Sequence, residues 1–232
     1  MLVCKLCGNA PHELYCKVGN YMIYQCRSCD VMFRVDNSTD GEDAINESQL
    51  DDVNTWDEYQ RLYYPHRQRT YQRVLGKIKP IGEQRLLDVG SAAGWFMELA
   101  TKQGYQTWGM EPSETIAKVG AQRTGRPIEI ATLEHAPYPD HFFHVVSLFD
   151  VLEHTDDPSI CLTEIKRLLV DNGIVVIRVP DMDGLLPKIA HWLLLITCYR
   201  YRKPAHLLWR YHQWGFNQRS LDSILKQSGL IL

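Results

Sequence analysis

Residues 85–100, Arg-Leu-Leu-Asp-Val-Gly-Ser-Ala-Ala-Gly-Trp-Phe-Met-Glu-Leu-Ala, constrain the fold of this chain more than any other stretch. Leu86, Leu87 and Val89 form a short apolar run of the kind that a parallel sheet buries on both faces. The run ends in a turn of small residues at 90–94, and Phe96, Leu99 and Ala100 then recur at helical spacing. A strand, a small-residue turn and a helix are the opening of a nucleotide-binding βα unit. Gly90 lets the backbone turn sharply, and Ala92 and Gly94 let a ligand approach the main chain. Such a turn by itself often serves packing alone, so its meaning depends on the segments downstream.

Those segments continue the alternation at fitting intervals. Thr107-Trp-Gly-Met-Glu-Pro-Ser113 reads as a second strand ending in an acid, Glu111, 21 residues beyond Gly90. A carboxylate there accepts hydrogen bonds from both ribose hydroxyls of an adenosine ligand. Residues 143–154, Phe-His-Val-Val-Ser-Leu-Phe-Asp-Val-Leu-Glu-His, read as a strand entering a loop, with a helix over 158–169. Asp171-Asn-Gly173 reads as a turn, and residues 174–180 as a strand and its stop. The pattern predicts a Rossmann-like α/β domain with a mostly parallel sheet.

Together these residues resemble the class I S-adenosylmethionine-dependent methyltransferases. The match is closest to the small-molecule and sugar methyltransferase branch, and it covers residues 63–232. The resemblance implies a binding site for S-adenosylmethionine. Asp88, Gly90, Ser91, Ala92 and Gly94 would surround the methionine end and ribose, with Glu111 on the ribose hydroxyls. Pro112 and Ser113 would flank the adenine, Thr132 and Leu133 would close its other edge, and Phe149 and Asp150 would border the methyl donor. Ala92 stands where the family often has glycine, and Ser91 where it often has cysteine. The cofactor's positive sulfur already activates the methyl group, so the chain's task is to hold an in-line geometry. The end of the 143–149 strand lacks the Asp/Asn-Pro-Pro-aromatic signature of enzymes that methylate exocyclic amino groups of bases.

At the other end of the chain, Cys4-Lys-Leu-Cys7 and Cys26-Arg-Ser-Cys29 are two CxxC pairs separated by 18 residues. Four thiolates in two knuckles suit a tetrahedral zinc ion with no open position, which is a structural site. Residues 1–35 therefore read as a zinc ribbon whose metal supplies the stability that so small a core lacks. His12 and Cys16 lie between the pairs without a partner at knuckle spacing. Small zinc modules of this kind precede the methyltransferase domain in some sugar C-methyltransferases and in a family of ribosomal RNA guanine methyltransferases. Seven cysteines in this spacing, with no export signal after Met1, predict a cytoplasmic protein.

Between the modules, residues 36–60 carry nine Asp or Glu and no Lys or Arg, so 36–64 reads as a solvated acidic connector. Pro65 is expected to open a helix to about residue 79, with the methyltransferase domain over 65–232. Tyr63 or Tyr64 is a candidate lid over the sulfonium, because an aromatic face attracts a cation; packing is the alternative.

Residues 184–217 read as an insertion facing the acceptor. From 184 to 221 there is no acid, whereas Lys188, Arg200, Arg202, Lys203, Arg210 and Arg219 are basic and aromatics interleave. Three readings are open: a wall for an anionic acceptor, an interfacial helix through Ile189, Trp192, Leu193 and Ile196 touching a membrane, or a core-facing helix with a solvated basic face. His212 is the first candidate for a general base, since related sugar C-methyltransferases use a histidine near this place, and His206 is the second. His154 either acts as a base or braces its loop. A helix is expected over 218–228. The last residues, Gly229-Leu-Ile-Leu232, fall where a sixth strand of the family fold would begin, so the final strands are expected to be cut short.

The expected activity is methyl transfer from S-adenosylmethionine to a small, anionic, sugar-like acceptor. RNA methylation with the ribbon gripping RNA is the alternative, opposed by a net charge of −3 and the acidic connector. A binding module that keeps the cofactor pocket without catalysis is a third. No feature specifies an oligomeric state.

Overall fold

Short strands joined by tight knuckles fold the start of the chain onto itself. In the computed structural model, which describes residues 3, 4, 6–9, 12–18, 21–36, 53–196, 209 and 212–231, strands β1 (His12–Val18), β2 (Tyr21–Cys26) and β3 (Met32–Asp36) pair antiparallel in that order. In β2, Tyr21 and Ile23 are buried and Met22 and Tyr24 half-buried, the alternation of a sheet with one covered face.

A long helix, α1 (Val53–Lys77), comes next. The chain then alternates through β4 (Arg85–Val89), α2 (Trp95–Lys102), β5 (Gln106–Met110), α3 (Glu114–Thr124), β6 (Ile128–Glu129), β7 (Phe143–Phe149), α4 (Pro158–Leu168) and β8 (Leu169–Arg178). The five strands form one sheet in the order β6-β5-β4-β7-β8. The pairs β4–β5, β4–β7 and β5–β6 are parallel, as the apolar runs require. Strand order reverses at β4, so the carboxyl end of β4 is a topological switch point, where open α/β sheets bind their ligands. On the sheet, Tyr71 and Leu75 of α1 pack with Leu86, Phe96, Val145 and Phe149.

The remaining elements are α5 (Leu185–Ile196), β9 (Trp214–Gly215) and α6 (Gln218–Gln227). Asn217 caps α6: its side chain accepts the Ser220 N–H, and Ser220 Oγ accepts the Asn217 N–H, both at 2.9 Å. The chain divides into two units, one of Met1–Ala44, Asp150–Lys166 and Arg178–Leu232, the other of Ile45–Phe149 and Arg167–Ile177. Among the described residues, no helix is long and apolar enough to cross a membrane.

Three local expectations change. The helix expected to open at Pro65 begins at Val53, so 53–64 is helical and not connector; residues 37–52 lie outside the described residues. A proline removes one backbone hydrogen bond, and strong helix formers ahead of it, Glu58, Gln60, Arg61 and Leu62, carry the helix through. The turn expected at 171–173 lies inside β8, where Asn172 takes a left-handed φ of 60°. The end of the 184–217 insertion is a strand of the ribbon. β9 pairs antiparallel with β3, Phe33 opposite Trp214 and Met32 opposite Gly215. Trp209 and Met182 fill the ribbon's core with Cys16, Tyr21, Ile23 and Met32. Tyr15 of β1 stacks on His191 of α5, with ring centroids 4.2 Å apart. The ribbon's hairpins alone offer few apolar side chains, and Trp209 of the insertion and Met182 just before it add to them.

Candidate functional site

The turn after β4 is built from left-handed residues: Gly90, Ala92 and Gly94 have φ of 62°, 47° and 75°. Gly94 is the position that excludes a side chain, since a Cβ there would lie 2.6 Å from Thr124 Cγ2 in an unfavourable φ. The Ser91 N–H donates to the Met110 carbonyl at 2.9 Å, which ties the turn to β5. Glu111 follows β5 and is 8% exposed. Its Oε2 accepts the Ala92 N–H at 3.0 Å and its Oε1 the Ser113 N–H at 3.2 Å. One carboxylate thus holds both loops, and each oxygen retains acceptor capacity for a hydroxyl. Ser91 Oγ is buried with no hydrogen-bond partner among the described residues and faces β5, 2.9 Å from where a Cβ on Gly109 would lie. These features fit an adenosine-type cofactor with vicinal hydroxyls.

Asp88 lies within β4, one residue before the strand ends. It is 3% exposed, and Ser147 Oγ donates to its Oδ1 at 2.7 Å. Burial, and the nearby charge of Glu111, push its carboxyl up to about 7 against the Ser147 bond. The folded chain therefore keeps a proton that the unfolded chain loses near pH 4. The associated stability is present below that pH and is lost as pH rises through about 7. Asp88→Asn, neutral at every pH, is expected to match the parent near pH 4 and to exceed its stability at pH 8 by roughly 2–4 kcal/mol. Urea unfolding at the two pH values checks this; parallel curves for the two proteins would show a charged Asp88.

The other expected cofactor residues divide. Pro112 is exposed, and Ser113 caps α3 by accepting the Ile116 N–H at 3.4 Å. Thr132 is exposed at the start of a 3-10 turn, Leu133–His135, and Leu133 is buried. Phe149 packs in the core, its ring 4.6 Å from that of Phe96 and 4.8 Å from that of Tyr71. Asp150 has a φ of 58° and pairs with the Arg178 guanidinium, whose backbone carbonyl accepts the Asp150 N–H at 2.9 Å.

Sequence reasoning misses two features of the turn. Tyr64 stacks on Trp95 at 3.7 Å between centroids, and the Arg123 guanidinium lies 3.5 Å from the Trp95 centroid while its Nε donates to the Ala93 carbonyl. Trp95, directly after Gly94, was the available signal; Arg123 had none. A Cβ on Gly120 would lie 2.8 Å from the Ala92 carbonyl oxygen, so α3 reaches the turn by close packing. The Tyr63 side chain lies outside the described residues.

In the ribbon, the two CxxC knuckles have the same backbone. The Gly8 N–H donates to the Cys4 carbonyl and the Asp30 N–H to the Cys26 carbonyl, each at 2.9 Å. Gly8 and Asp30 are both left-handed, with φ of 69° and 60°. Sulfur atoms lie 3.8 Å apart for Cys4 and Cys29 and 3.5 Å apart for Cys7 and Cys26, and all four fall within 4.8 Å of one another. Tetrahedral ligands 2.3 Å from zinc would be separated by about 3.8 Å, so the cluster fits zinc with little adjustment. Cys16 is buried in the apolar core, which pushes its thiol up to about 12 and leaves it a packing residue. His12 packs edge-on to Tyr24 at 5.3 Å.

His154 and His212, 58 residues apart in sequence, meet edge to face at 4.9 Å between centroids. Burial and the neighbouring His154 push the His212 imidazole down to about 4, so it is neutral at pH 7. Neither histidine is a solitary base. Glu153, 1% exposed, places a carboxylate oxygen within 4.8 Å of a nitrogen from each ring. His206 lies outside the described residues.

Comparison with known proteins places this geometry. The family described as "Methyltransferase domain" matches residues 55–232. The ubiquinone biosynthesis O-methyltransferase of Rhodopseudomonas palustris is 32% identical over 114 residues, 47% of this chain and 45% of that protein. The matched part thus spans less than half of the relative. Among solved structures, a SAM-dependent methyltransferase of Thermotoga maritima superposes with a TM-score of 0.58 at 22% identity, covering 75% of this chain and 76% of the other. A SAM-dependent methyltransferase of Archaeoglobus fulgidus gives 0.58 at 19% identity, covering 75% and 73%. At these identities the likeness is one of fold.

Proposed function

This chain belongs to the methyltransferase-domain family, and we propose that it transfers the methyl group of S-adenosylmethionine to a small-molecule acceptor. The observation that carries the reading is Glu111, a buried carboxylate that holds the turn after β4 and the loop after β5 while keeping acceptor capacity for two ribose hydroxyls. When bound, the cofactor supplies an electrophilic methyl on a positively charged sulfur. The chain's own residues bind and orient: Glu111 takes the ribose, and the left-handed turn lets the main chain approach closely. Cys4, Cys7, Cys26 and Cys29 hold a structural zinc, a reading supported by their sulfur spacing.

For the acceptor we propose a small anionic, sugar-like molecule. Its support is the acid-free, basic and aromatic run from 184 to 221, of which 197–208 lies outside the described residues. A second reading, an acceptor held at an anionic membrane surface, is favoured by α5. Its Leu185, Leu186, Ile189 and Trp192 are 75%, 79%, 46% and 66% exposed, whereas Ala190 is buried. Positions i, i+1, i+4 and i+7 share one helix face, and Lys188 stands beside them. The relative from Rhodopseudomonas, named for ubiquinone biosynthesis, accords with an oxygen as the methylated atom. RNA is disfavoured because two ribbon-side arginines are already paired, Arg27 with Glu13 and Arg219 with Asp30.

Isotope-labelled S-adenosylmethionine tests these readings against polar-metabolite, lipid and RNA extracts. Label is expected in the acid-soluble polar fraction with the parent protein and in none with Glu111→Ala. Label in lipid would establish the membrane reading, and label in RNA would overturn both.

A further inference from the structure

We infer that Glu153, His154 and His212 form a second metal site, which binds a divalent transition ion through two imidazole nitrogens and one carboxylate oxygen. Their ligand atoms lie within 4.8 Å of one another. Ligands 2.0–2.2 Å from an ion stand about 3–3.5 Å apart, a contraction that side-chain rotation supplies. The donor set distinguishes this site from the cysteine cluster. Imidazole and carboxylate suit Zn²⁺, Fe²⁺, Co²⁺ or Mn²⁺, and three protein ligands leave positions open to water or another oxygen ligand.

The arrangement is held in place from both sides. Glu153 and His154 sit on the 3-10 turn Leu152–His154, where the His154 N–H donates to the Val151 carbonyl at 2.9 Å. His212 arrives from a distant part of the chain, and its successor fastens it. The Gln213 N–H donates to the Glu153 carbonyl at 2.9 Å, and the Gln213 side-chain amide donates to Asp156 at 3.1 Å. One residue further, the Trp214 indole N–H donates to the Thr155 carbonyl at 2.8 Å. Three hydrogen bonds therefore fix the segment bearing His212 against the turn bearing the other two ligands. A carboxylate that is 1% exposed beside two imidazoles is costly to bury and gains most from a cation. Because His212 lies next to β9, whose partner is β3, metal at this site also secures the strand that completes the ribbon sheet.

Metal content tests the inference without turnover. The full chain, dialysed after saturation with zinc, is expected to retain two equivalents, and His212→Gln and His154→Gln one each. Cobalt distinguishes the two sites. One equivalent should give the intense thiolate charge-transfer bands of a four-cysteine site, and the second only weak absorption. His212→Gln should remove the second alone and leave the thiolate bands in place. A parent protein that retains a single, thiolate-bound equivalent would overturn the proposal, as would a second equivalent that survives both histidine substitutions.

Discussion

Glu111→Ala is expected to weaken binding of S-adenosylhomocysteine by about 100- to 10,000-fold. Two hydrogen bonds from ribose hydroxyls to a carboxylate contribute about 1.5–3 kcal/mol each, and every 1.4 kcal/mol is tenfold in affinity. The same substitution strips the Ala92 and Ser113 N–H groups of their acceptors, at 3.0 and 3.2 Å. The turn then loses the brace that presents it to the cofactor. Glu111→Gln keeps one acceptor oxygen and should fall between the two. Calorimetric titration with S-adenosylhomocysteine, on protein shown by circular dichroism to be folded, measures the loss. Unchanged affinity would mean that the carboxyl end of β4 is not the cofactor site, and the proposed methyl transfer would fail with it.

Removing metal from the cysteine cluster is expected to have a still larger effect. Structural zinc in small domains contributes about 10–16 kcal/mol of apparent binding free energy, more than a core of this size supplies. The strands β1, β2 and β3 should unfold, and because β9 pairs with β3, residues around Trp209 and Trp214 should loosen with them. Cys26→Ser removes one ligand of this cluster and none of the histidine-containing one. Proteolysis is expected to cut both the first 36 residues and the segment near 209–216, with a red shift of tryptophan emission. A Cys26→Ser protein as resistant as the parent would leave the four cysteines as buried thiols.

Much of the local architecture was legible in the chain. The apolar run 86–89, the small residues at 90–94 and the acid at 111 correspond to β4, its turn and the end of β5. Backbone conformation is dictated by neighbours a few residues away, so strand runs, left-handed turns and cysteine knuckles leave short-range signatures. The knuckles show this most plainly: Gly8 and Asp30 come directly after the second cysteine of each pair and take the same left-handed turn, one a glycine and the other an aspartate that tolerates it.

What the chain alone determined, then, is the alternating α/β pattern, the turn at the switch point and the pairing of cysteines into two knuckles. The tertiary structure decided which distant segments meet. It made residues 214 and 215 a strand of the ribbon, brought His212 to Glu153 and His154, turned Phe149 into the core and joined Asp150 to Arg178. It also set the proton on Asp88, whose carboxyl is ordinary in sequence and is pushed up only by burial and the charge of Glu111. Such outcomes depend on which surfaces are removed from water together. That is a property of the whole packed arrangement, and no short window of residues encodes it.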